Sequence, residues 1–353
     1  MNNLKIKPAF NKNNIAVVLS ADGNYVPYLA VTIKSIFDNA DPKYNYDVLV
    51  FDDGIKDHQK DMMGTMIKPN CSIRYIDVKE LLKDVDTSLF QARGIWSIAT
   101  FYRLFIPQVM SDYDRVLYLD CDILVKDSLV ELFKLDMKNN QVACVYDDIR
   151  YVKNEKRIKD CEEGLKLKDY RKYFNAGVVL FNISKIKYED FKKQFFDILK
   201  NYKLPFLDQD VLNIIFEGKC TYLNLEWNYQ YHVLIENPEL RSYKELDKAD
   251  KNPKIIHFTT GNKPWNHPEL PHAYEWWSVA RTVPFYEEII FKNTRISNLL
   301  LRNLVKYKSL NIRYMISKLL RIASFGKLNH KISAKYNKLH NQIKEIRSIF
   351  KGK

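Results

Sequence analysis

Glycine is scarce in this chain, at 10 of 353 residues. No G-x-G-x-x-G and no G-x-x-x-x-G-K occurs, so a phosphate-bearing ligand is not cradled by a glycine-rich loop. A bound diphosphate would instead need a cation and basic side chains. Cysteine is equally sparse: Cys71, Cys121, Cys144, Cys161 and Cys220 are odd in number and form no C-x-x-C pair. That pattern argues against a disulfide framework and reads as free thiols in a reducing compartment. No apolar run approaches the ~18 residues of a spanning helix. Ile15–Leu19 is too short for the apolar region of a signal peptide and ends in polar residues. The expectation is a cytoplasmic protein, or one lying peripherally on the inner face of the membrane.

Basic excess is also missing from most of the chain, although the formal net charge is +13. Residues 289–353 hold 16 Lys and Arg against one acid, Glu345, a net of +15, which leaves −2 for residues 1–288. A negatively charged partner therefore belongs to the tail and not to the body. Nucleic acid is not expected as that partner, because few aromatics are interleaved with the tail lysines. The body is well supplied for a core. Hydrophobic residues make up 46% of the chain and aromatics 13%, enough for one large domain or two and for a cleft with stacking surfaces.

Along the body, apolar strands alternate with amphipathic segments. Strands are expected at Ile15–Ser20, Val48–Phe51, Ile73–Asp77, Val116–Leu119, Val142–Tyr146, Val178–Phe181 and Lys254–Ile256, and helices at Val26–Asn39 and Ile98–Phe105. This βαβ alternation predicts an α/β fold with a largely parallel, doubly covered sheet. The Lys- and Glu-rich stretch Ile149–Tyr173 reads as an excursion or mobile loop. A domain boundary is placed at 280/281, with a basic helical tail over 281–353.

The chemistry starts at Arg115-Val-Leu-Tyr-Leu-Asp-Cys-Asp-Ile-Leu-Val125. An apolar strand ending in Asp120 and Asp122 delivers two carboxylates to the edge of the sheet where open α/β folds hold ligands. Alternation in an extended chain would point both at one hard cation. The Asp-x-Asp pattern alone is common here, recurring at Asp84/Asp86, Asp112/Asp114 and Asp208/Asp210. Two solvated carboxylates ending a strand are the bland alternative.

Other segments add to it. Ser20-Ala-Asp-Gly-Asn-Tyr25 follows the first strand, where Asp22 could accept from a base or ribose and Tyr25 offers a stacking face. A plain capped turn is the alternative there. Arg103, near the end of Ile98-Ala-Thr-Phe-Tyr-Arg103, could clamp a sugar hydroxyl or phosphate, or be a solvated charge. His257 ends a strand and opens His257-Phe-Thr-Thr-Gly-Asn-Lys-Pro-Trp265. As a ligand beside Asp120 and Asp122 its imidazole suits Mn2+ better than Mg2+; a satisfied core histidine is the alternative. Gly261 permits backbone approach to a phosphate and Lys263 supplies a cation.

Read in register with Phe174-Asn-Ala-Gly-Val178 and Leu207-Asp-Gln-Asp210, these segments resemble the retaining glycosyltransferases of family 8. That family includes bacterial lipopolysaccharide glucosyl- and galactosyltransferases and glycogenin, and the resemblance covers roughly residues 13–280. The His257 segment carries one residue more before its glycine than the bacterial sugar transferases often show. The resemblance implies a GT-A-type nucleotide-sugar-binding fold with a mainly parallel central sheet. It also implies donor contacts at Ser20, Ala21, Asp22, Asn24, Tyr25, Thr100, Arg103, Asp120, Cys121, Asp122, Asp147, Asn175, Ala176, Gly261 and Lys263. A metal would be held by Asp120, Asp122 and His257, and the reaction centre formed by Asp208, Gln209 and Asp210. Asp148 is expected to be solvated. Gln209 would face the anomeric carbon. An amide is a poor nucleophile, so front-face return and transient attack by Gln209 or a nearby carboxylate both stay open.

The implied activity is transfer of glucose or galactose from a UDP-sugar, with Mn2+ or else Mg2+, to a glycan or glycolipid acceptor. The rivals are a haloacid-dehalogenase-type phosphatase using Asp120 and Asp122, and a non-enzymatic binder of anionic surfaces. In the tail, Leu299, Leu300, Leu304, Ile312, Met315, Ile316, Leu319 and Leu320 recur at near-helical spacing among cations. That stripe suits an anionic membrane surface; a helical hairpin packed on the body, or a partner subunit in a homo-oligomer, is the alternative.

Overall fold

The computed structural model of the chain describes residues 5–83, 85–90, 98–293 and 341. The chain divides into two compact units, residues 1–286 and 287–353. The apolar stripe of the tail from Leu299 to Leu320 lies outside the described residues. Among the described residues no helix is long and apolar enough to cross a membrane.

The first unit is built on a seven-stranded sheet of β1 (Asn14–Asp22), β2 (Asn45–Asp53), β3 (Cys71–Asp77), β4 (Arg115–Leu119), β6 (Val142–Tyr146), β7 (Phe174–Asn182) and β8 (Cys220–Tyr222), in the order β3-β2-β1-β4-β7-β6-β8. β1, β2, β3 and β4 are parallel, β7 runs against both its neighbours, and β8 is parallel to β6. One reversed strand in a parallel sheet gives the mixed but mainly parallel arrangement that the βαβ alternation predicts. The five inner strands β2, β1, β4, β7 and β6 are largely buried on both faces and read as continuous apolar runs, whereas the edge strands β3 and β8 are half-buried. All nine residues of β7 are buried, including Asn175 and Asn182.

A second, three-stranded sheet pairs β5 (Ile123–Val125) with β10 (Ile255–His257), and β10 with β9 (Tyr229–Gln230). It decides where the acidic pair goes. The chain leaves β4 at Leu119, turns through Asp120-Cys121-Asp122, and enters the small sheet as β5. The carboxylates therefore sit on a turn between two sheets, not along one extended strand.

The helix Val26–Asp38 fastens that turn. Pro27 lies in its first turn, where its fixed φ suits a helix start. Its buried face holds two hydroxyls among the apolar residues. Thr32 Oγ1 lies 2.9 and 2.8 Å from the carbonyls of Cys121 and Ile123, and Ser35 Oγ accepts from Val125 N–H at 3.0 Å. Buried backbone groups must find partners, and here a helix supplies them to a turn. Ile98–Phe105 is helical as expected, in 3-10 form, and its buried face carries Phe101, Tyr102 and Arg103.

Candidate active site

The ends of β1, β4, β7 and β10 open on one cleft of about 570 Å3, within the usual range for ligand sites. At one side stand Asp120, Asp122 and His257, whose ligand atoms all lie within 4.8 Å of one another. His257 Nε2 is 3.3 Å from Asp122 Oδ1 and 3.7 Å from Asp120 Oδ2. The pairing of β10 with β5 puts His257 opposite Ile123, one residue past Asp122. Lys263 Nζ pairs with Asp122 and also donates to the carbonyl of Phe258. Burial pushes the Asp122 carboxyl up, but Lys263 and His257 outweigh it and hold the group well below the usual carboxylate range. Two carboxylates and an imidazole form a donor set that could hold a divalent metal ion.

Arg103 is the internal strut of this site. It is 3% exposed, and its Nη2 meets Asp120 Oδ1 at 2.9 Å while its Nε lies 2.8 Å from Asp208 Oδ2. Its Nη1 donates to Ala176 O at 2.5 Å, and its plane stacks over Tyr118 with 4.2 Å to the ring centroid. The guanidinium thus ties the acidic turn to the helix carrying Asp208. Burial drives the Asp208 carboxyl up to about 6 despite Arg103 and a hydrogen bond from Thr100.

On the other side, Gln209 is gripped by four partners. Its Oε1 accepts from Ala176 N–H at 2.9 Å and Asn175 Nδ2 at 3.3 Å. Its Nε2 donates to Asp147 Oδ2 and Tyr173 Oη, both at 3.3 Å. Leu207, at φ 52, turns the chain immediately ahead of Asp208 and Gln209. Such a left-handed residue is uncommon outside glycine and asparagine. Burial and the neighbouring Asp148 push the Asp147 carboxyl up to about 6, opposed by Arg157.

Ser20, Ala21, Asp22, Tyr25, Thr100, Arg103, Asp120, Cys121, Asp122, Asp147, Asn175, Ala176, Asp208, Gln209, His257, Gly261 and Lys263 all line the cleft. Asp22 does so while capping its turn, accepting from Asn24 N–H at 2.8 Å and Tyr25 N–H at 3.0 Å. Cys121 Sγ donates to Ser20 O at 3.1 Å, joining the ends of β4 and β1. The additional residue before Gly261 falls in a loop turned by Thr260 at φ 68.

Two expected positions differ. Asn24 is exposed and does not line the cleft, because the turn points it outward. Asp210 lies behind the wall, 1% exposed, accepting from Tyr173 Oη at 2.5 Å and Phe206 N–H at 2.7 Å; through Tyr173 it braces Gln209 from behind. Asp148 also departs from the expectation of a solvated carboxylate. It accepts from Arg157 Nη1 at 2.5 Å and lies 3.2 Å from His232 Nε2. Burial raises its carboxyl, but His232, Asp147 and Arg157 win and hold it low.

Several lining residues carry no motif signal. Arg157 comes from the charged excursion, which is a folded element: Glu155–Lys159 is helical, capped by Asn154, and Ile149, Cys161, Leu165, Leu167 and Tyr173 form a small core beneath it. Gln230 and His232 are brought in by β9 and the helix His232–Glu236. Asn228, which contacts His257, lies on a 3-10 turn, where no periodicity marks it.

The two-sheet α/β fold, with its acidic turn, histidine and amide-lined cleft, is of the GT-A glycosyltransferase type. Residues 16–268 match Glycosyl transferase family 8, and the chain belongs to that family. It is 27% identical over 281 residues to the lipopolysaccharide 1,2-glucosyltransferase of Escherichia coli (strain K12), covering 77% of this chain and 76% of that one. Among solved structures it resembles the apo form of the bifunctional glycosyltransferase WbbM, with 30% identity and a TM-score of 0.72 over 82% of this chain. The match spans about half of that longer protein, 53%. It also resembles the galactosyltransferase LgtC in complex with donor and acceptor sugar analogues: 26% identity, TM-score 0.62, covering 76% of this chain and 96% of that one. The chain is therefore a transferase enzyme, and the readings of Asp120 as a phosphatase nucleophile and of the protein as a non-enzymatic binder are set aside.

Proposed function

We propose that the protein is a retaining hexosyltransferase that moves glucose or galactose from a UDP-sugar to a glycan acceptor, a lipopolysaccharide or related glycolipid precursor. The observation that carries this reading is the convergence in one cleft of Asp120, Asp122, His257 and Lys263 on one side and Gln209 with Asp147, Asn175 and Ala176 on the other. The relatives named above support both candidate sugars, one being a glucosyltransferase and another a galactosyltransferase.

Asp120, Asp122 and His257 would hold Mn2+, with Mg2+ as the second choice, and a bound divalent ion would neutralise charge on a diphosphate leaving group. Lys263 adds a fixed cation beside it. Tyr25, edge-on to Trp265 with ring centroids 6.0 Å apart, offers the base an aromatic wall. At the other side, the Gln209 carbonyl already accepts two hydrogen bonds, which makes it a still weaker nucleophile. Asp208 is tied to Arg103. These constraints favour front-face return: the acceptor hydroxyl attacks on the face the diphosphate leaves, and its proton passes to the departing phosphate oxygen. The Gln209 dipole then stabilises the positive charge that develops at the anomeric carbon.

For the tail we propose association with the inner face of an anionic membrane, where polybasic attraction adds about 1 kcal/mol per cation near the surface. The enzyme would thereby work peripherally, next to a lipid-linked acceptor. Hydrolysis and transfer with a panel of UDP-hexoses, with and without Mn2+, tests the catalytic proposal. Turnover of no UDP-sugar in the presence of Mn2+ and a lipopolysaccharide acceptor would overturn it.

A further inference from the structure

The orientation of one buried amide determines which nitrogen His257 presents to the acidic pair. Gly177 N–H donates to Asn175 Oδ1 at 3.0 Å, and a backbone N–H can only donate. The Asn175 atom there is therefore its oxygen. Asn228 meets that same oxygen at 2.9 Å, so the Asn228 atom involved must be its NH2. Its carbonyl oxygen is then the atom 2.9 Å from His257 Nδ1, and an amide carbonyl can only accept. Nδ1 must carry a proton, and in the neutral ring Nε2 is left with its lone pair, aimed at Asp120 and Asp122.

Packing fixes the plane of the ring, and the hydrogen bond to Asn228 fixes which way round it sits. Asn228 is 1% exposed and His257 3%. A Cβ built on Gly177 would fall 2.1 Å from His257 Cε1 and 2.7 Å from Nδ1, so the imidazole lies directly against the glycine backbone. Turning the ring over would set a carbon opposite the Asn228 carbonyl.

We infer that Asn228 is the positioning residue of this centre. It fixes the Nδ1–H form of His257, so that Nε2 is free to bind a divalent cation, and it links that cation site to Asn175 beside Gln209. The cation-binding part of this inference rests on the metal reading proposed above; the tautomer part does not.

The test uses the full-length chain, 15N-labelled at histidine, with the His257 signals assigned by their loss in His257→Gln. Long-range 1H–15N correlation spectra of the neutral ring in cation-free protein are expected to show Nδ1 protonated in the wild type. Asn228→Ala is expected to lose that single form. Asn228→Asp loses the donor to Asn175 but still offers an oxygen that accepts from Nδ1–H, and it is expected to keep the Nδ1–H form. In parallel, calorimetry with Mn2+ alone is expected to show affinity reduced about 10–100-fold in Asn228→Ala, as for other groups that orient a ligating histidine, and a smaller loss in Asn228→Asp, which keeps the acceptor for Nδ1–H. A wild-type ring protonated at Nε2, or an Asn228→Ala protein with unchanged tautomer and Mn2+ affinity, would overturn the inference. If Asn228→Ala does not fold, Asn228→Asp decides, since a switch to Nε2–H there refutes it equally. If the wild type fails to bind Mn2+, the metal reading falls while the tautomer spectra still decide the role of Asn228.

Discussion

Gly177→Ala is the sharpest single perturbation of the acidic centre. Gly177 is buried in β7, one residue past the last pair with β4 and inside the bulge opposite β6, and its carbonyl accepts from Asp120 N–H at 2.9 Å, so its backbone is tied to the acidic turn itself. The new methyl carbon would stand 2.1 Å from His257 Cε1, 2.7 Å from Nδ1 and 2.9 Å from Asp120 Oδ2. Ordinary contact needs about 3.5–4 Å, so the imidazole must move by more than an ångström. Metal–ligand distances tolerate only about 0.2 Å, so a centre displaced that far does not re-form. Overpacking a tight core costs about 1–3 kcal/mol, which lowers the unfolding temperature without abolishing the fold. The expected result is a folded protein whose Mn2+ affinity drops by about 100-fold, the upper end of what displaced supporting groups produce. Circular dichroism, thermal unfolding and calorimetry with Mn2+ measure these effects. A Gly177→Ala protein with wild-type Mn2+ affinity and wild-type transfer would refute the reasoning that the glycine seats His257.

Asp120→Asn and Asp122→Asn each remove a charged ligand from the turn, and both should abolish Mn2+-dependent UDP binding and transfer with the fold retained; full activity of either, or in excess EDTA, contradicts the metal site. Gln209→Ala should lower kcat more than it raises KM for the donor, because its dipole acts on charge developing at the anomeric carbon; a change confined to KM would place Gln209 elsewhere. Burial pushes the Asp210 carboxyl up to about 7, so the folded state binds more protons than the unfolded chain and stability falls as pH rises from about 4 towards that value. Asp210→Asn should therefore flatten the decline in unfolding temperature across that window, and an unchanged slope would deny the shift. A chain ending at Glu288 should lose binding to anionic vesicles at low salt and keep hydrolysis of a soluble donor; equal vesicle binding by the truncated and full chains refutes the membrane role.

Much of the catalytic half of the cleft was legible because its residues sit at element ends marked by apolar runs. Asp120 and Asp122 follow Val116–Leu119, and His257 follows Lys254–Ile256. What could not be read was how the ends meet. The extended-chain reading of Asp120-Cys-Asp122 gave way to a turn, because β5 leaves the main sheet to pair with β10, a contact across more than a hundred residues with no local signature. The reversed direction of β7 was hidden for the same reason: burial on both faces erases the alternation that would set it apart. Asp148 looked like a solvated charge, and Arg157 lay unmarked in the stretch read as an excursion or mobile loop, since pairing between buried ions leaves no periodic trace. Asn228 sits on a single turn of 3-10 helix, and only the geometry of its two hydrogen bonds gives it a role.

The central claim is that one cleft holds a metal-bound diphosphate beside an amide-lined anomeric centre and transfers hexose with retention. The most direct measurement is proton NMR of the reaction with UDP-glucose or UDP-galactose and a lipopolysaccharide acceptor, with Mn2+ and then with EDTA. Turnover is expected only with the cation, and the first-formed glycoside is expected to have the same anomeric configuration as the donor. An inverted product, or undiminished turnover in EDTA, would contradict it.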